Sequence, residues 1–403
     1  MRVASKTMRK IAIVHEWFTS HAGSEKVVEQ ILRVYPNADL YSLVDFLPQS
    51  QRDFIQHKPV TSSFIQSLPF AQKHFRNYLP LMPLAVEQFD LSGYDLIISS
   101  HHAVAKGVLT RPDQLHISYV HTPLRYGWEL QHQYLRQANL TQGPKSWLTR
   151  AILHYMRLWD VASANRVDVY VANSHYVARR IEKTYRRSAS VIYPPVSVHR
   201  FDAQVPREDF YLTVSRFVPY KRVDLTVRAF VQLGLPLVVI GEGGEAKALR
   251  QLATASGQNN IQFLGKQPDS VVEDYMQRCR GFIFPPEEDF GITPVEAQAA
   301  GAPVIAYARG GQAETVIHEQ TGYLFPYQTV ESLVQSVKRL EASVGQFEAG
   351  ALRQNAERFS STQFRSTFQA FVEATWLRFE RDRLAPASPS GSNDLADDIA
   401  DRE

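Results

Sequence analysis

The sequence is poor in cysteine and has no long apolar run. Cys279 is the only cysteine among 403 residues, so a disulfide within the chain is excluded, which is typical of a reducing compartment. No apolar stretch reaches the roughly 18 residues that a membrane-spanning helix needs. The first ten residues are basic, but the apolar stretch after them is too short for a secretory signal. These absences predict a cytoplasmic protein.

Motifs for metal and dinucleotide binding are also missing. The chain contains no C-x-x-C, H-E-x-x-H or D-x-D pattern, and the triplet Glu287-Glu288-Asp289 lacks further metal ligands at suitable spacing. No strand-opening loop carries G-x-G-x-x-G, which counts against a nicotinamide-dependent oxidoreductase. We therefore expect no metal, no cofactor and no nucleic-acid partner.

Charge is distributed unevenly along the chain, although the net charge is only +3. Residues 1–200 carry 24 Lys and Arg against 14 Asp and Glu, a net charge of +10, and residues 201–383 carry a net charge of −3. A basic first half predicts an acidic partner, either an anionic membrane surface or a phosphate-bearing substrate. Charge scattered over a solvated surface explains it equally well.

Short apolar runs alternate with helical stretches through both halves, which predicts two doubly wound α/β domains with parallel sheets. We place these domains at residues 1–200 and 201–360, with a hinge near Pro194-Pro195. A terminal helix over 361–383 is expected to pack back on the first domain, and 384–403 has the composition of a disordered acidic tail. The predicted strands are Lys10–His15, Asp39–Val44, Tyr94–Ser99, His116–Val120, Asp168–Ala172, Phe210–Ser215, Leu237–Gly241, Ile261–Leu264, Phe282–Pro285 and Pro303–Tyr307.

The segment from Pro285 to Ala297 is the most informative part of the sequence. Glu288 and Glu296 stand eight positions apart around a Phe-Gly turn, after a short apolar strand. Thr293 is predicted to cap the following helix, which places Glu296 in its first turn. The crevice beyond a strand's carboxyl end is where open α/β sheets bind ligands, and the helix amides favour an anion. Solvated acids on a capped helix are the alternative.

Further candidate residues follow other strands of the two predicted sheets. Arg216 and Lys221 lie on a loop where two cations would bind a diphosphate, although an ordinary basic loop is the alternative. Gly241 and Gly23 lie on loops where the backbone can approach a ligand, a weaker signal. His121 ends a strand at the expected cleft, and His101 and His102 are similar; a structural histidine is the alternative for each.

Together these elements resemble the GT-B fold retaining glycosyltransferases of family four, in particular bacterial O-antigen and exopolysaccharide mannosyltransferases. The resemblance covers about residues 8–380, and Ala22 stands where members often have glycine. It implies two Rossmann-like domains facing a cleft and a metal-independent hexosyltransferase. The catalytic residues that it implies are His121, Arg216, Lys221 and Glu288. The donor-binding residues that it implies are Gly23, Arg216, Lys221, Gly241, Glu288, Phe290, Gly291, Ile292, Thr293 and Glu296.

The resemblance favours GDP-mannose as the nucleotide-sugar donor and a glycan or polyprenyl-diphosphate-linked acceptor in polysaccharide biosynthesis. Two alternatives stay open, namely a UDP-sugar donor and a non-catalytic protein that binds nucleotide sugars or glycans.

The segment from Trp147 to Trp159 has apolar residues at helical spacing with basic residues nearby. Such a helix lies on an anionic membrane surface or, more often, packs in a core. If this helix lies on an anionic membrane surface, the protein is expected at a peripheral location on the inner face of the cytoplasmic membrane.

Overall fold

The computed structural model describes residues 9–255, 257–343 and 345–384, so the predicted acidic tail beyond residue 384 lies outside the described residues. Two parallel β-sheets, each covered by helices, form the two domains of this α/β protein. Their central strands are largely apolar and almost completely buried, because helices cover both faces of each sheet. The predicted fold class is confirmed.

The first sheet has seven strands in the order β3-β2-β1-β4-β5-β6-β7. Its strands are β1 (Ile11–Phe18), β2 (Asp39–Asp45), β3 (Val60–Ser62), β4 (Leu96–His101), β5 (Leu115–Val120), β6 (Val169–Ala172) and β7 (Ala189–Val191). The helices of this domain are α1 (Gly23–Val34), α2 (Ala71–His74), α3 (Met82–Glu87), α4 (Gln131–Gln137), α5 (Pro144–Ala164) and α6 (His175–Tyr185).

The second sheet has six strands in the order β10-β9-β8-β11-β12-β13. Its strands are β8 (Tyr211–Val214), β9 (Leu237–Ile240), β10 (Ile261–Gly265), β11 (Gly281–Phe284), β12 (Val304–Tyr307) and β13 (Gly322–Phe325). The remaining helices are α7 (Val223–Leu233), α8 (Ala246–Thr254), α9 (Asp269–Arg278), α10 (Ile292–Ala299), α11 (Gln312–Thr315), α12 (Val330–Ala342), α13 (Ala349–Glu357) and α14 (Ser361–Leu384).

Each sheet reverses its strand order once, between β1 and β4 in the first sheet and between β8 and β11 in the second. At such a reversal the connecting helices lie on opposite faces, which leaves a crevice beyond the carboxyl ends of the two strands. The loops after β1, β4, β8 and β11 carry most of the candidate residues of the sequence analysis. The topology therefore directs the two sets of loops toward the same cleft.

The terminal helix α14 packs on the first domain, although it follows the second domain in the chain. Phe364, Phe368 and Trp376 belong to the same buried apolar cluster as the strands of the first sheet. Arg9 forms an ion pair with Glu373 at 2.8 Å and stacks over the Trp376 ring. The chain thus crosses between the domains twice, after Val196 and again near Ser360, where these two residues form an isolated parallel bridge.

One predicted helix start is wrong. Helix α10 begins at Ile292 after Gly291, so Thr293 lies inside its first turn and forms no cap. Gly291 has φ 84°, a left-handed conformation that glycine adopts without the strain of a Cβ. This backbone turn starts the helix two residues earlier than a side-chain cap would. Consequently Glu296 is the fifth helical residue and lies in the second turn.

The sequence analysis also missed three strands. β3 and β7 have three residues each, and β13 has four. Such short segments carry too few side chains to display a period, and β3 and β7 include exposed polar positions. The sheets support them through pairing with longer neighbours.

Phe368→Ala should destabilise the first domain, because this side chain of α14 is fully buried in its core. We expect a loss of about 3–5 kcal/mol in the free energy of unfolding, the usual cost of deleting a buried aromatic ring. Leu377→Ala, at an exposed position of the same helix, should change it by less than about 0.5 kcal/mol. Urea unfolding followed by circular dichroism measures both values, and equal effects would contradict the packing of α14.

Candidate active site

A cavity of about 830 Å³ opens between the carboxyl ends of the two sheets. Side chains and backbone from both domains line it, including loops after β1, β5, β8, β9 and β11. Every residue that the sequence analysis assigned to the site lies on its wall, namely Gly23, His121, Arg216, Lys221, Gly241, Glu288, Phe290, Gly291, Ile292, Thr293 and Glu296. The fold brings these residues together, and their individual roles stay predictions.

Two cations line the part of the cavity that follows β8. Arg216 donates a hydrogen bond to the hydroxyl of Tyr220 at 2.8 Å and is otherwise exposed toward the cavity. Lys221 forms an ion pair with Glu288, and its ammonium lies 5.3 Å from the centre of the Tyr220 ring. Tyr220 therefore contacts both cations and helps to keep them on the same wall.

The glycine-rich loop after β9 packs directly against the loop that carries these cations. A Cβ at Gly241 would lie 2.9 Å from the carbonyl carbon of Ser215, which is closer than normal contact distance. The amide of Phe217 donates to the carbonyl of Glu242 at 2.8 Å. Gly241 therefore allows two cavity loops to touch, which is a packing role beside the predicted ligand contact.

The Glu288 loop is supported by a buried amide side chain that the sequence analysis missed. Gln312 is fully buried, and its Nε2 donates to the carbonyl of Pro286 at 2.7 Å while its Oε1 accepts from the amide of Glu288 at 3.3 Å. The amide of Gly311 donates to the carbonyl of Glu288 at 2.7 Å. Contacts from the start of α11 and the residue before it thus hold Glu288 in place, and they come from residues more than twenty positions away.

Glu296 is buried in the cavity wall. Its carboxylate is 3.9 Å from the ammonium of Lys26 and 3.9 Å from the guanidinium of Arg200. Burial raises the pKa of this carboxyl above its ordinary value, and the two cations oppose that shift. Lys26 follows Gly23 on α1, so the first domain supplies part of the charge around a carboxylate of the second.

His121 lies on the wall formed by the first domain, at the end of β5. Its Nε2 is 2.8 Å from the hydroxyl of Ser100 on β4, and its carbonyl accepts from Asn173 at 2.9 Å. Burial lowers the pKa of His121 well below the ordinary histidine value, so its ring is neutral near pH 7. The ring of His102 lies 6.2 Å away, and burial lowers its pKa to about 4.

Glu16 holds the His102 loop through a set of backbone hydrogen bonds that the sequence analysis did not predict. One carboxylate oxygen of this fully buried residue accepts the amides of His102, Ala103, Val104 and Ala105 at 2.7–3.0 Å. His101 lies 3.3 Å from the same oxygen and is itself buried, so it does not line the cavity. Burial favours the neutral acid, but the hydrogen bonds and the nearby histidines dominate and lower the pKa of Glu16. The sequence signal that could have revealed this role is the position of Glu16 as the only acid within the apolar strand β1.

Charged contacts join the two domains beside the cavity. Asp289 forms ion pairs with Arg180 at 2.6 Å and with Arg125 at 3.2 Å, both from the first domain. The carboxylate of Glu314 accepts the first two amides of α6 at 2.9 and 2.8 Å. A carboxylate at a helix N-terminus is favoured by the unpaired amides and by the helix dipole. The second domain therefore attaches to the first at the loop that also carries Glu288.

The described residues contain no group of three or more His, Cys, Asp or Glu side chains arranged to hold a metal ion. None of the helices in the described ranges is long and apolar enough to cross a bilayer.

Comparison with known proteins decides the family. The model of "Glycosyltransferase Family 4" matches residues 22–200, and that of "Glycosyl transferases group 1" matches residues 198–358. The chain is a family-four GT-B glycosyltransferase. The two models together cover both domains, including every residue assigned to the cavity.

The relatives of this glycosyltransferase are distant. The mouse α-1,3/1,6-mannosyltransferase ALG2 is 26% identical over 262 residues, which cover 55% of this chain and 62% of that protein. O-antigen chain mannosyltransferase C of Escherichia coli is 28% identical over 191 residues, which cover 43% of this chain and 51% of that protein. The chain spans about half to three-fifths of the length of the first curated relatives that it matches.

Solved structures share the fold at low sequence identity. Anabaena Alr3699/HepE, in complex with UDP, superposes with a TM-score of 0.66 at 18% identity, over 91% of this chain and all of that one. Sucrose-phosphate synthase of Thermosynechococcus elongatus gives a TM-score of 0.67 at 16% identity, over 92% of this chain and all of that one. These likenesses confirm the GT-B arrangement of the two domains.

Glu16→Gln should destabilise the glycosyltransferase by about 3 kcal/mol, because an amide cannot match the charge-assisted bonds that the buried carboxylate accepts. Glu182→Gln, at an exposed position of α6, is the matched control and should change stability by less than about 0.5 kcal/mol. Chemical denaturation measures both free energies of unfolding.

The pH dependence provides the second readout for Glu16. Its folded-state pKa lies below the ordinary value of 4.5, so its contribution to stability is present above that value and is lost as the pH falls. Between pH 6 and about pH 4 the Gln variant should therefore lose less stability than the wild type. Parallel pH profiles of the two proteins would contradict this account.

Proposed function

We propose that this glycosyltransferase transfers mannose from GDP-mannose, with retention of configuration, to a glycan or polyprenyl-diphosphate-linked acceptor in polysaccharide biosynthesis. The observation that carries the proposal is the cavity itself, where Arg216 and Lys221 of the second domain face the neutral His121 of the first. The similarity to mannosyltransferases from mouse and Escherichia coli supports mannose as the sugar.

The leaving group explains the two cations. As the bond to the sugar breaks, negative charge grows on the diphosphate, and fixed cations lower the energy of that transition state. Arg216 would bind the diphosphate as a fork and Lys221 as a point charge. The amides from Phe290 to Thr293, at the start of α10, would provide further donors to the phosphate and the sugar. These groups supply the charge stabilisation of a metal-independent reaction.

The ion pair between Lys221 and Glu288 suggests how the donor enters. A diphosphate beside Lys221 would compete for the ammonium and release Glu288, whose carboxylate then accepts a hydrogen bond from a sugar hydroxyl. Glu296 would bind the ribose at the far end of the donor. His121 would contact the transferred sugar from the first domain.

Retention of configuration would follow from attack on the face that the diphosphate leaves. The departing phosphate oxygen accepts the proton of the acceptor hydroxyl, while the new glycosidic bond forms and the bond to the diphosphate breaks. Arg216 and Lys221 hold that oxygen in place. This course requires no carboxylate nucleophile beneath the sugar.

Two other functions fit the same fold. The structural neighbour HepE was solved with UDP, which favours a UDP-sugar donor as the second candidate. A non-catalytic glycan-binding protein would have no need of a diphosphate clamp, so the presence of Arg216 and Lys221 in the cavity counts against it. A non-catalytic protein that binds nucleotide sugars would use the same clamp, and only turnover separates it from an enzyme.

A panel of GDP- and UDP-sugars tests these three functions. Release of nucleoside diphosphate is measured for each sugar with the wild-type protein, with and without a polyprenyl-diphosphate glycan as acceptor. Our proposal predicts turnover with GDP-mannose above that with every UDP-sugar, and product with the anomeric configuration of the donor. Higher turnover with a UDP-sugar, an inverted product, or binding without turnover would each overturn it.

Arg216→Ala and Lys221→Ala should each lower the transfer rate by about 10²-fold or more, the scale for loss of one preorganised donor to a developing charge. Arg228→Ala, at an exposed position on α7 of the same domain, is the control and should retain the wild-type rate. Initial-rate measurements with GDP-mannose give all three values. Near-normal turnover in either clamp variant would contradict the assigned roles.

We also propose a peripheral location on the inner face of the cytoplasmic membrane. The apolar stripe of α5 divides into two parts, because Trp159 is buried while Trp147 and Leu148 are 76% and 63% exposed. Neither a helix that packs wholly in the core nor one that lies wholly on a membrane surface describes all of these apolar residues. The exposed pair lies near Lys145 and Arg150, and a basic helix with exposed apolar residues suits an anionic lipid surface. Such a location would bring the cavity close to a lipid-linked acceptor.

The double substitution Trp147→Ser and Leu148→Ser should reduce binding to anionic vesicles at least fivefold, since it removes two exposed apolar side chains. Leu377→Ser, at a 58% exposed position of α14, is the matched control and should leave binding unchanged. Sedimentation with phosphatidylglycerol and phosphatidylcholine vesicles measures the bound fraction. No preference of the wild type for the anionic vesicles would count against this location.

A further inference from the structure

Three buried side chains form a continuous row behind the cavity wall, and the row ends at His121 on the wall itself. The carboxylate of Glu25 lies 3.4 Å from His15 Nε2, and His15 Nδ1 lies 3.1 Å from the hydroxyl of Ser100. The same hydroxyl lies 2.8 Å from His121 Nε2. Glu25, His15 and Ser100 are all almost completely buried. We call these three residues the relay; they come from α1, β1 and β4.

The carboxylate at the end of the relay fixes the direction of its first hydrogen bond. Burial opposes ionisation of Glu25, but the bond from His15 and the Ser24 hydroxyl lower its pKa to about 2, so it carries a negative charge near pH 7. An ionised carboxylate only accepts hydrogen bonds, so His15 Nε2 must carry a hydrogen. With its single hydrogen on Nε2, the His15 ring would accept at Nδ1.

The directions of the two hydrogen bonds of Ser100 follow from this arrangement of His15. The hydroxyl of Ser100 has one hydrogen, which it donates to His15 Nδ1. Its oxygen therefore accepts from His121, and the hydrogen of the neutral His121 ring must be on Nε2. His121 Nδ1 is left without a hydrogen, and in the described part of the chain no side chain or backbone group hydrogen-bonds to it. Since His121 lines the cavity, Nδ1 is the ring atom available to a ligand.

We propose that Glu25, His15 and Ser100 are positioning residues that fix His121 as the Nε2–H tautomer, so that its Nδ1 accepts a hydrogen bond from a hydroxyl of the bound sugar. This inference rests on the proposed function for the identity of the ligand, but the tautomer belongs to the protein alone. A reversed relay, with a hydrogen on both nitrogens of His15, would instead place a hydrogen on His121 Nδ1. The cavity would then present a donor in place of an acceptor.

The neighbouring pair Ser99 and His116 provides an internal reference. Ser99 is also on β4 and fully buried, and its hydroxyl lies 2.9 Å from His116 Nε2. His116 Nδ1 lies 3.1 Å from the carbonyl of Arg166, which only accepts, so this ring must carry its hydrogen on Nδ1. The two buried histidines should therefore be opposite tautomers.

The tautomers are measured by ¹H–¹⁵N correlation spectra of the full chain labelled at its histidines, near neutral pH. We expect an unprotonated Nδ1 in His121 and an unprotonated Nε2 in His116. Ser100→Ala should change the His121 pattern and leave His116 unaltered, whereas Ser99→Ala should leave both tautomers unchanged, because the carbonyl of Arg166 still holds the hydrogen of His116 on Nδ1. A hydrogen on His121 Nδ1 in the wild type, or a His121 pattern that Ser100→Ala leaves unchanged, would overturn the proposal.

Turnover of the nucleotide sugar gives an independent readout. Ser100→Ala and Glu25→Gln should lower kcat by about threefold to tenfold, the scale of one hydrogen bond, while Ser99→Ala stays within about twofold of the wild type. If no sugar nucleotide is turned over but the tautomers are as expected, the proposed function fails and the relay stands. If the wild type turns over the nucleotide sugar and Ser100→Ala alters neither the rate nor the tautomer of His121, the positioning role of the relay is refuted and the proposed function stands.

Discussion

The contact between Asp289 and the arginines of the first domain is the interaction on which the site depends. Arg125 and Arg180 hold Asp289 from one side, and Glu314 adds a second attachment at the start of α6. Asp289 follows Glu288 directly, so the contact that joins the domains also positions the loop that carries the predicted sugar contact. This attachment helps to keep the cations of one domain and the histidines of the other on the walls of one cavity.

Burial gives the two walls of the cavity opposite chemical character. In the first domain, burial keeps His102 and His121 neutral, and the ionised carboxylates of Glu16 and Glu25 lie behind the wall. In the second domain, the cations of Arg216 and Lys221 face the cavity directly. Arg216 and Lys221 would therefore attract a diphosphate to their wall, while His102 and His121 offer uncharged rings suited to sugar hydroxyls.

Much of this architecture could be predicted from the sequence, because its signals are local. Apolar runs identified ten strands, and the Glu288 to Glu296 spacing drew attention to two residues that line the cavity. The rest depends on distant contacts. No local pattern connects Glu16 to the amides after His101, or Gln312 to the Glu288 loop. The start of α10 was misplaced because a left-handed Gly291 begins that helix, whereas sequence signals favour a side-chain cap.

We propose that Arg216 and Lys221 bind the diphosphate of a nucleotide sugar, and a crystal structure of the protein with GDP would show whether they do. We expect phosphate oxygens within hydrogen-bond distance of both cations and a broken ion pair between Lys221 and Glu288. Density for GDP elsewhere, such as in the neighbouring cavity of about 520 Å³ lined in part by Arg33 and Arg365, would contradict it. So would GDP bound with that ion pair intact.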